Sequence, residues 1–129
     1  MIATDGYIKK GKGHPRTSGS YSKVLGEYVR TKKSLSLLKA IKKMSLMPAL
    51  RMEKLVPSMK KKGRIKIGAD ADLVVFDPDK ISDQATYSNP TLPPLGMLHV
   101  IVNGKTVVEN ATLDLTSNHG RPIRSTIAK

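Results

Sequence analysis

The sequence predicts an α+β chain, with helices in its first half and strands in its second. Three observations carry that reading. Apolar residues recur at helical spacing between residues 20 and 52. From Gly63 onward, β-branched residues replace helix-formers, most clearly in Gly63-Arg64-Ile65-Lys66-Ile67-Gly68 and Leu73-Val74-Val75-Phe76. Asn103-Gly104 then joins two β-branched runs, and Asn-Gly is the pair that a tight type I′ hairpin turn demands.

In chain order, Ile2-Ala3-Thr4 before Asp5-Gly6 reads equally as the end of a strand that delivers Asp5 to a loop or as a simple turn. Residues 6–20 read as one long polar loop with glycines at 6, 11, 13 and 19 and no periodicity. Within it, proline fixes the backbone between His14 and Arg16. A helix capped by Ser20 or Ser22 follows, with Val24, Leu25, Tyr28 and Val29 on one face and an end at Thr31-Lys32-Lys33. Ser34 or Ser36 caps the next, in which Leu37, Leu38, Ile41 and Met44 face one way and Lys39, Lys42 and Lys43 the other. Ser45 and Pro48 begin a short third helix that buries Leu50 and Met52.

Residues 53–62 form a basic connection. Residues 64–67 alternate polar and apolar, as a half-buried strand does. Gly68 turns the chain, and residues 73–76 read as a strand buried on both faces. Asp70 and Asp72 read as solvated turn residues. Prolines 90, 93 and 94 argue against regular structure in residues 79–95. Residues 98–102 and 105–108 form the hairpin strands, and residues 110–129 a polar, basic tail.

Composition limits the function classes. The 129 residues suit one ordinary domain. Without cysteine there are no disulfides and no cysteine zinc site, which fits a cytoplasmic location. No apolar run reaches the roughly 18 residues of a membrane span, and residues 1–5 lack a signal peptide's charged and apolar regions. The net charge of +13 raises nucleic acid as a partner. The lysines are spread along the chain with no interleaved aromatics, however, and read as solvated surface. His14, His99 and His119 lack metal-ligand spacing, and no phosphate-binding glycine loop is present.

Asp5, His14 and Arg16 remain as candidates. A carboxylate at a strand end can accept a proton or hold a metal, and an arginine can grip a carboxylate with two parallel hydrogen bonds. By spacing alone a turn aspartate and a solvated arginine are the favoured reading.

Those residues, with Thr4-Asp5-Gly6, His14-Pro15-Arg16, Val24-Leu25-Gly26-Glu27-Tyr28-Val29-Arg30, residues 37–51, residues 63–78 and Val102-Asn103-Gly104, resemble the C-terminal part of the D-aminoacylase (N-acyl-D-amino-acid deacylase) group of metal-dependent amidohydrolases. The Gly-Ala-Asp-Ala-Asp-Leu-Val-Val-Phe-Asp stretch alone is shared more widely, dihydroorotase-like relatives included. The resemblance implies a (β/α)₈ barrel beside a small β-sandwich. Residues 1–59 would be the end of the barrel, with its last strand, active-site loop and helices, and 60–129 the C-terminal sandwich portion and tail. Asp5 would be the general base or a metal-site carboxylate, Arg16 would bind the substrate's α-carboxylate, and His14 would shape the loop. The implied activity is zinc-dependent hydrolysis of carbon–nitrogen bonds in N-acyl-D-amino acids. Lys39, where an acidic residue is expected, and the basic tail after Gly120 depart from the pattern and leave the substrate open.

A barrel needs roughly 250 residues. The resemblance therefore implies a C-terminal piece of an amidohydrolase, with Met1 an internal methionine of a longer ancestor. Alone it would lack most metal ligands and turn over no substrate. Its partners would be the remainder of the enzyme, or a second copy through open strand edges. The alternatives are a non-catalytic interaction module that kept the fold, and a basic nucleic-acid binder.

Overall fold

The computed structural model describes residues 1–125. The chain begins with an extended segment tied down by the Ile2 N–H, which donates to the Lys43 carbonyl at 2.9 Å. No strand forms over residues 2–5, because no neighbouring strand lies beside them to complete a ladder. The expected long loop is more ordered than its composition implies. β1 (Ile8–Lys9) and β2 (Lys12–Gly13) pair antiparallel around Lys10-Gly11, where φ is +50° and +75°. That is another two-residue hairpin turn, with lysine in place of the usual asparagine.

α1 (Arg16–Lys23) starts directly after Pro15, earlier than Ser20, and runs on without a break into π-helical turns over Val24–Thr31. The wider turn is visible in the Lys32 N–H donating to the Glu27 carbonyl five residues back. Ser36 caps α2 (Leu37–Met44), its hydroxyl accepting from the Lys39 N–H. α3 (Leu46–Met52) follows with Pro48 in its first turn. Ala49 is the residue it buries, while Leu50 and Met52 stay exposed. Leu38 of α2 is exposed as well. With Pro57 in its first turn, a 3₁₀ turn over Pro57–Lys61 leads toward the sheet.

Residues 64–67 are not a strand. β3 (Leu73–Phe76) does form, at the edge of an antiparallel sheet of order β3-β4-β5-β6, with β4 Met97–Val102, β5 Lys105–Glu109 and β6 Thr112–Leu113. Its central residues Val74 and Val75 point to opposite faces and both are open to solvent, so the expectation of burial on both faces fails: one edge and part of each face have no covering layer. Asn103 and Gly104 take φ of +51° and +77°, as the β4–β5 turn requires. β6 arises where only a loose tail was expected, through a third such turn at Asn110-Ala111.

The core is small. Leu25, Ala40 and Ile81 are its buried centre, with Val24, Val29, Leu35, Leu37, Met44, Phe76 and Met97 packed around them. Helices and sheet therefore share one cluster. Ile81 belongs to the proline-rich segment between β3 and β4, which crosses α1 as a strap. Its carbonyl accepts from Arg30 at 2.6 Å, and Ser82 bridges to Leu95. The strap lies against Gly26, where a Cβ would sit 2.6 Å from the Ile81 carbonyl oxygen.

Candidate active site

Asp5, His14 and Arg16 come together where the extended N-terminal segment meets the start of α1. The hairpin β1–β2 folds the intervening loop back, so residues nine and eleven positions apart in sequence from Asp5 return to it. Arg16 Nη2 lies 3.8 Å from Asp5 Oδ2, with the carboxylate fully exposed. At that distance and exposure the pair is a loose, solvent-screened attraction, easily exchanged for another partner.

The backbone around Arg16 is held more firmly than its side chain. Its carbonyl accepts from the Thr4 hydroxyl at 3.0 Å and the Ser20 hydroxyl at 2.7 Å, and Ser20 also donates to Thr4 at 3.2 Å. Its N–H donates to His14 Nδ1 at 3.0 Å. That bond makes Nδ1 the unprotonated nitrogen and leaves the proton on Nε2, which points to the Tyr87 hydroxyl 3.1 Å away. The two rings meet edge to face with centroids 5.0 Å apart. His14 thus caps the first turn of α1 and locks onto the strap, which is also pinned by the Ser18 hydroxyl donating to the Pro90 carbonyl at 2.9 Å.

A second charged cluster lies away from this site. Lys62 pairs with Asp70 at 3.0 Å and, more closely, with Asp72. Asp72 also accepts from the Asn103 N–H at 2.7 Å. The Lys62 ammonium, then the Asn103 N–H, outweigh burial and hold the Asp72 carboxyl below its usual range. For Lys62, burial pulls the other way, but its hydrogen bonds to Asp72 and Asp70 prevail and raise it. These aspartates are therefore not the solvated turn residues expected. They clamp the 3₁₀ turn to the β4–β5 hairpin.

Sequence reasoning named Asp5, His14 and Arg16 as candidates and did not point to Tyr87, Thr4 and Ser20 as their neighbours. Tyr87 is one of only five aromatic residues, and its place in a proline-rich loop was the available signal. Among the described residues, no group of three or more histidine, cysteine, aspartate or glutamate side chains is placed to hold a metal ion. Both His14 nitrogens are engaged and Asp5 faces Arg16, so these residues do not form a zinc site by themselves.

Residues 8–108 match the amidohydrolase family. The chain belongs to that family. This amidohydrolase chain is 42% identical over 111 residues to the N-acyl-D-glutamate deacylase of Alcaligenes xylosoxydans xylosoxydans, covering 86% of the chain and 22% of the relative. It is 36% identical over 129 residues to the D-aminoacylase of the same organism, covering 99% and 25%. Its fold superposes on a D-aminoacylase crystal structure with a TM-score of 0.79 at 36% identity, over 92% of this chain and 24% of that one. An N-acyl-D-glutamate deacylase from Bordetella bronchiseptica, solved with zinc and a phosphonate mimic of the tetrahedral intermediate, gives a TM-score of 0.66 at 42% identity over 74% and 19%. The chain thus spans about a quarter or less of the length of the relatives it matches. Family members are metal-dependent hydrolases. Among the described residues, no helix is long and apolar enough to cross a membrane.

Proposed function

We infer that this chain supplies the Asp5–His14–Arg16 portion of an N-acyl-D-amino-acid deacylase site. The observation that carries the reading is the return of Arg16 to within 3.8 Å of an exposed Asp5, on a backbone held by Thr4, Ser20 and His14. In this reading residues 1–59 are the end of a (β/α)₈ barrel and residues 60–129 the closing part of a small β-sandwich. The superposition on D-aminoacylase supports it.

Arg16 exchanges its loose hold on Asp5 for the α-carboxylate of an N-acyl amino acid, gripped by two parallel N–H donors. Released from the guanidinium, Asp5 Oδ2 is free to accept the proton of the water that attacks the acyl carbon and to pass it to the nitrogen as the carbon–nitrogen bond breaks. His14 keeps the first turn of α1 in place through its Nδ1, and so positions Arg16. The zinc of the whole enzyme would polarise the amide and its attacking water. Its ligands would come from segments outside this chain, with Asp5 at most one of them.

A chimera tests this, with the chain replacing the matched quarter of a D-aminoacylase. Deacylation of N-acetyl-D-amino acids is expected, with Asp5→Asn lowering kcat about 100- to 10,000-fold and leaving the melting temperature unchanged. Arg16→Lys raises KM more than it lowers kcat. Full turnover by the Asp5→Asn chimera would remove Asp5 from the role. The second reading, a non-catalytic interaction module, is favoured by the open edges of β3 and β6. It predicts an inert chimera that still folds.

A further inference from the structure

The tip of the β1–β2 hairpin, between Asp5 and Arg16, carries three exposed lysines that the Asp5–His14–Arg16 geometry does not use. Lys9 stands directly across from Lys12, so their side chains share one face of the hairpin. Lys10 occupies the turn itself, with φ of +50°. Both placements are locally unfavourable. Like charges directly opposite each other repel, and a side chain at positive φ crowds the backbone. The hairpin is nonetheless closed tightly, since a Cβ on Gly13 would sit 2.1 Å from the Tyr7 carbonyl oxygen. No acidic side chain answers the three ammonium groups. Among the described residues, Lys9, Lys10 and Lys12 enter no ion pair. The sequence holds no aspartate or glutamate between Asp5 and Glu27, and Asp5 already faces Arg16.

We propose that Lys9 and Lys12 form a second anion subsite, which takes a negatively charged group of the substrate other than the α-carboxylate held by Arg16. The ligand class is an N-acyl amino acid with two carboxylates. The proposal rests on the deacylase reading and deepens it by naming the substrate's charge. The span from Asp5 to Arg16 holds four cations and one carboxylate, so it is short of negative charge until an anion arrives. Lys12 lies four residues before Arg16, so their Cα atoms are at most about 14 Å apart. Both side chains are long and exposed, and one small molecule can reach both. A merely solubilising surface has no need of two lysines facing each other across a turn. A bound carboxylate between them turns their repulsion into attraction. The second carboxylate belongs either to the side chain or to the acyl group of the substrate, and the two ammonium groups meet both alike. A cluster of one sign beside the site also draws in such dianions, more strongly at low salt than at high.

The test titrates the 129-residue chain with three probes at fixed ionic strength, read by amide chemical shifts. N-acetyl-D-glutamate and N-succinyl-D-alanine are isomers with two carboxylates each, the second lying on the side chain in one and on the acyl group in the other. N-acetyl-D-glutamine has the shape of the first and a single charge. A dianion is expected to shift residues 8–13 together with 14–16, and to bind about tenfold more tightly than the glutamine compound. The tighter isomer assigns the second charge to side chain or acyl group. Lys9→Met/Lys12→Met should abolish the preference without lowering the melting temperature, since it removes a repulsion between exposed groups. Equal binding of all three probes overturns the proposal, and so does a preference that survives the double variant. A single-stranded oligonucleotide that binds residues 8–13 more tightly than either dianion also overturns it, and would make the hairpin a nucleic-acid contact. Catalysis is read separately in the D-aminoacylase chimera, as the ratio of kcat/KM for the preferred dianion to that for the glutamine compound. The double variant should lower this ratio about tenfold. Dianion binding by the chain with an inert chimera sinks the deacylase reading and keeps the subsite, whereas an active chimera with no charge preference does the reverse.

Discussion

The Tyr87 hydroxyl sits 3.1 Å from His14 Nε2, across 73 residues of sequence, and joins the strap to the start of α1. Tyr87→Phe removes that oxygen and keeps the edge-to-face ring contact. The ring is largely exposed, so the stability loss should be small, about 0.5–1 kcal/mol in urea denaturation. The local effect should be larger. Long-range proton–nitrogen spectra should show His14 mainly as the Nε2–H tautomer in the parent chain and a more even mixture in the variant. An unaltered tautomer ratio would mean that the Arg16 N–H alone sets it.

Ile81→Ala should be the most damaging single truncation in the strap. Ile81 is 1% exposed and is the largest fully buried side chain. Its loss should cost about 2–5 kcal/mol, a large part of what a small domain has. Leu38→Ala, on the exposed side of α2, should change the urea midpoint little.

Gly26→Val should loosen the same strap by a different route. A side chain there meets the Ile81 carbonyl and pushes it away from Arg30. Loss of about 1–3 kcal/mol is expected. Pairing the substitution with Arg30→Ala should cost less than the sum of the two, since both act on one contact.

The Lys62–Asp70–Asp72 clamp should set a pH window. The Asp72 carboxyl is depressed in the fold, so its contribution is present above its unfolded value and lost as pH falls through the folded one. Lys62 is raised, so its contribution is present below its unfolded value and lost as pH rises through the folded one. Stability from this cluster should therefore hold between about pH 5 and about pH 10 and decline on either side. Asp72→Asn should flatten the acid limb of the melting-temperature profile. A limb of unchanged slope would place the acid sensitivity elsewhere.

Ala111 takes φ of +63°, a conformation that costs an alanine about 1–2 kcal/mol and a glycine nothing in sterics. Ala111→Gly should raise stability by up to about 1 kcal/mol, the rest being offset by the freer unfolded chain. Gly104→Ala should do the opposite.

What could be read in the residues was mostly local. Asn103-Gly104 specified its turn because two positive φ values suit few other pairs. Ser36 announced α2 because its hydroxyl has the Lys39 N–H within reach whatever else the chain does. The β1–β2 and β5–β6 turns escaped notice because Lys10 and Ala111 occupy left-handed positions that their side chains disfavour. Ile81 was hidden among prolines, since burial there depends on a strap crossing a helix, a contact with no periodic signature. Residues 64–67 failed in the other direction. Their alternation is real, but a strand needs a second strand beside it, and local pattern does not supply one. Asp5, His14 and Arg16 stood out by elimination, and only the family resemblance gave them roles. Tyr87, which holds His14, has no motif of its own. The final four residues of the predicted tail lie outside the described residues.

The π-helical turns at Val24–Thr31 carry a consequence for how the gene tolerates change. They close with bonds to the residue five back, one more than an α-helix uses. Deleting a single codon within them lets the same length of helix re-form as α, with its backbone bonds complete. The α-helix of one residue fewer covers nearly the same arc, because the extra residue is what the wider turns absorb. Residues beyond such a deletion keep close to their original phase, and Arg30 stays within reach of the Ile81 and Pro78 carbonyls. The same deletion in α2, where every residue advances about 100° around the axis, rotates everything beyond it by that amount. Among the described residues, the widened turns are therefore the one stretch of helix in which the reading frame can lose a residue and leave the strap in place, and proteolysis of residues 79–95 should distinguish the two deletions.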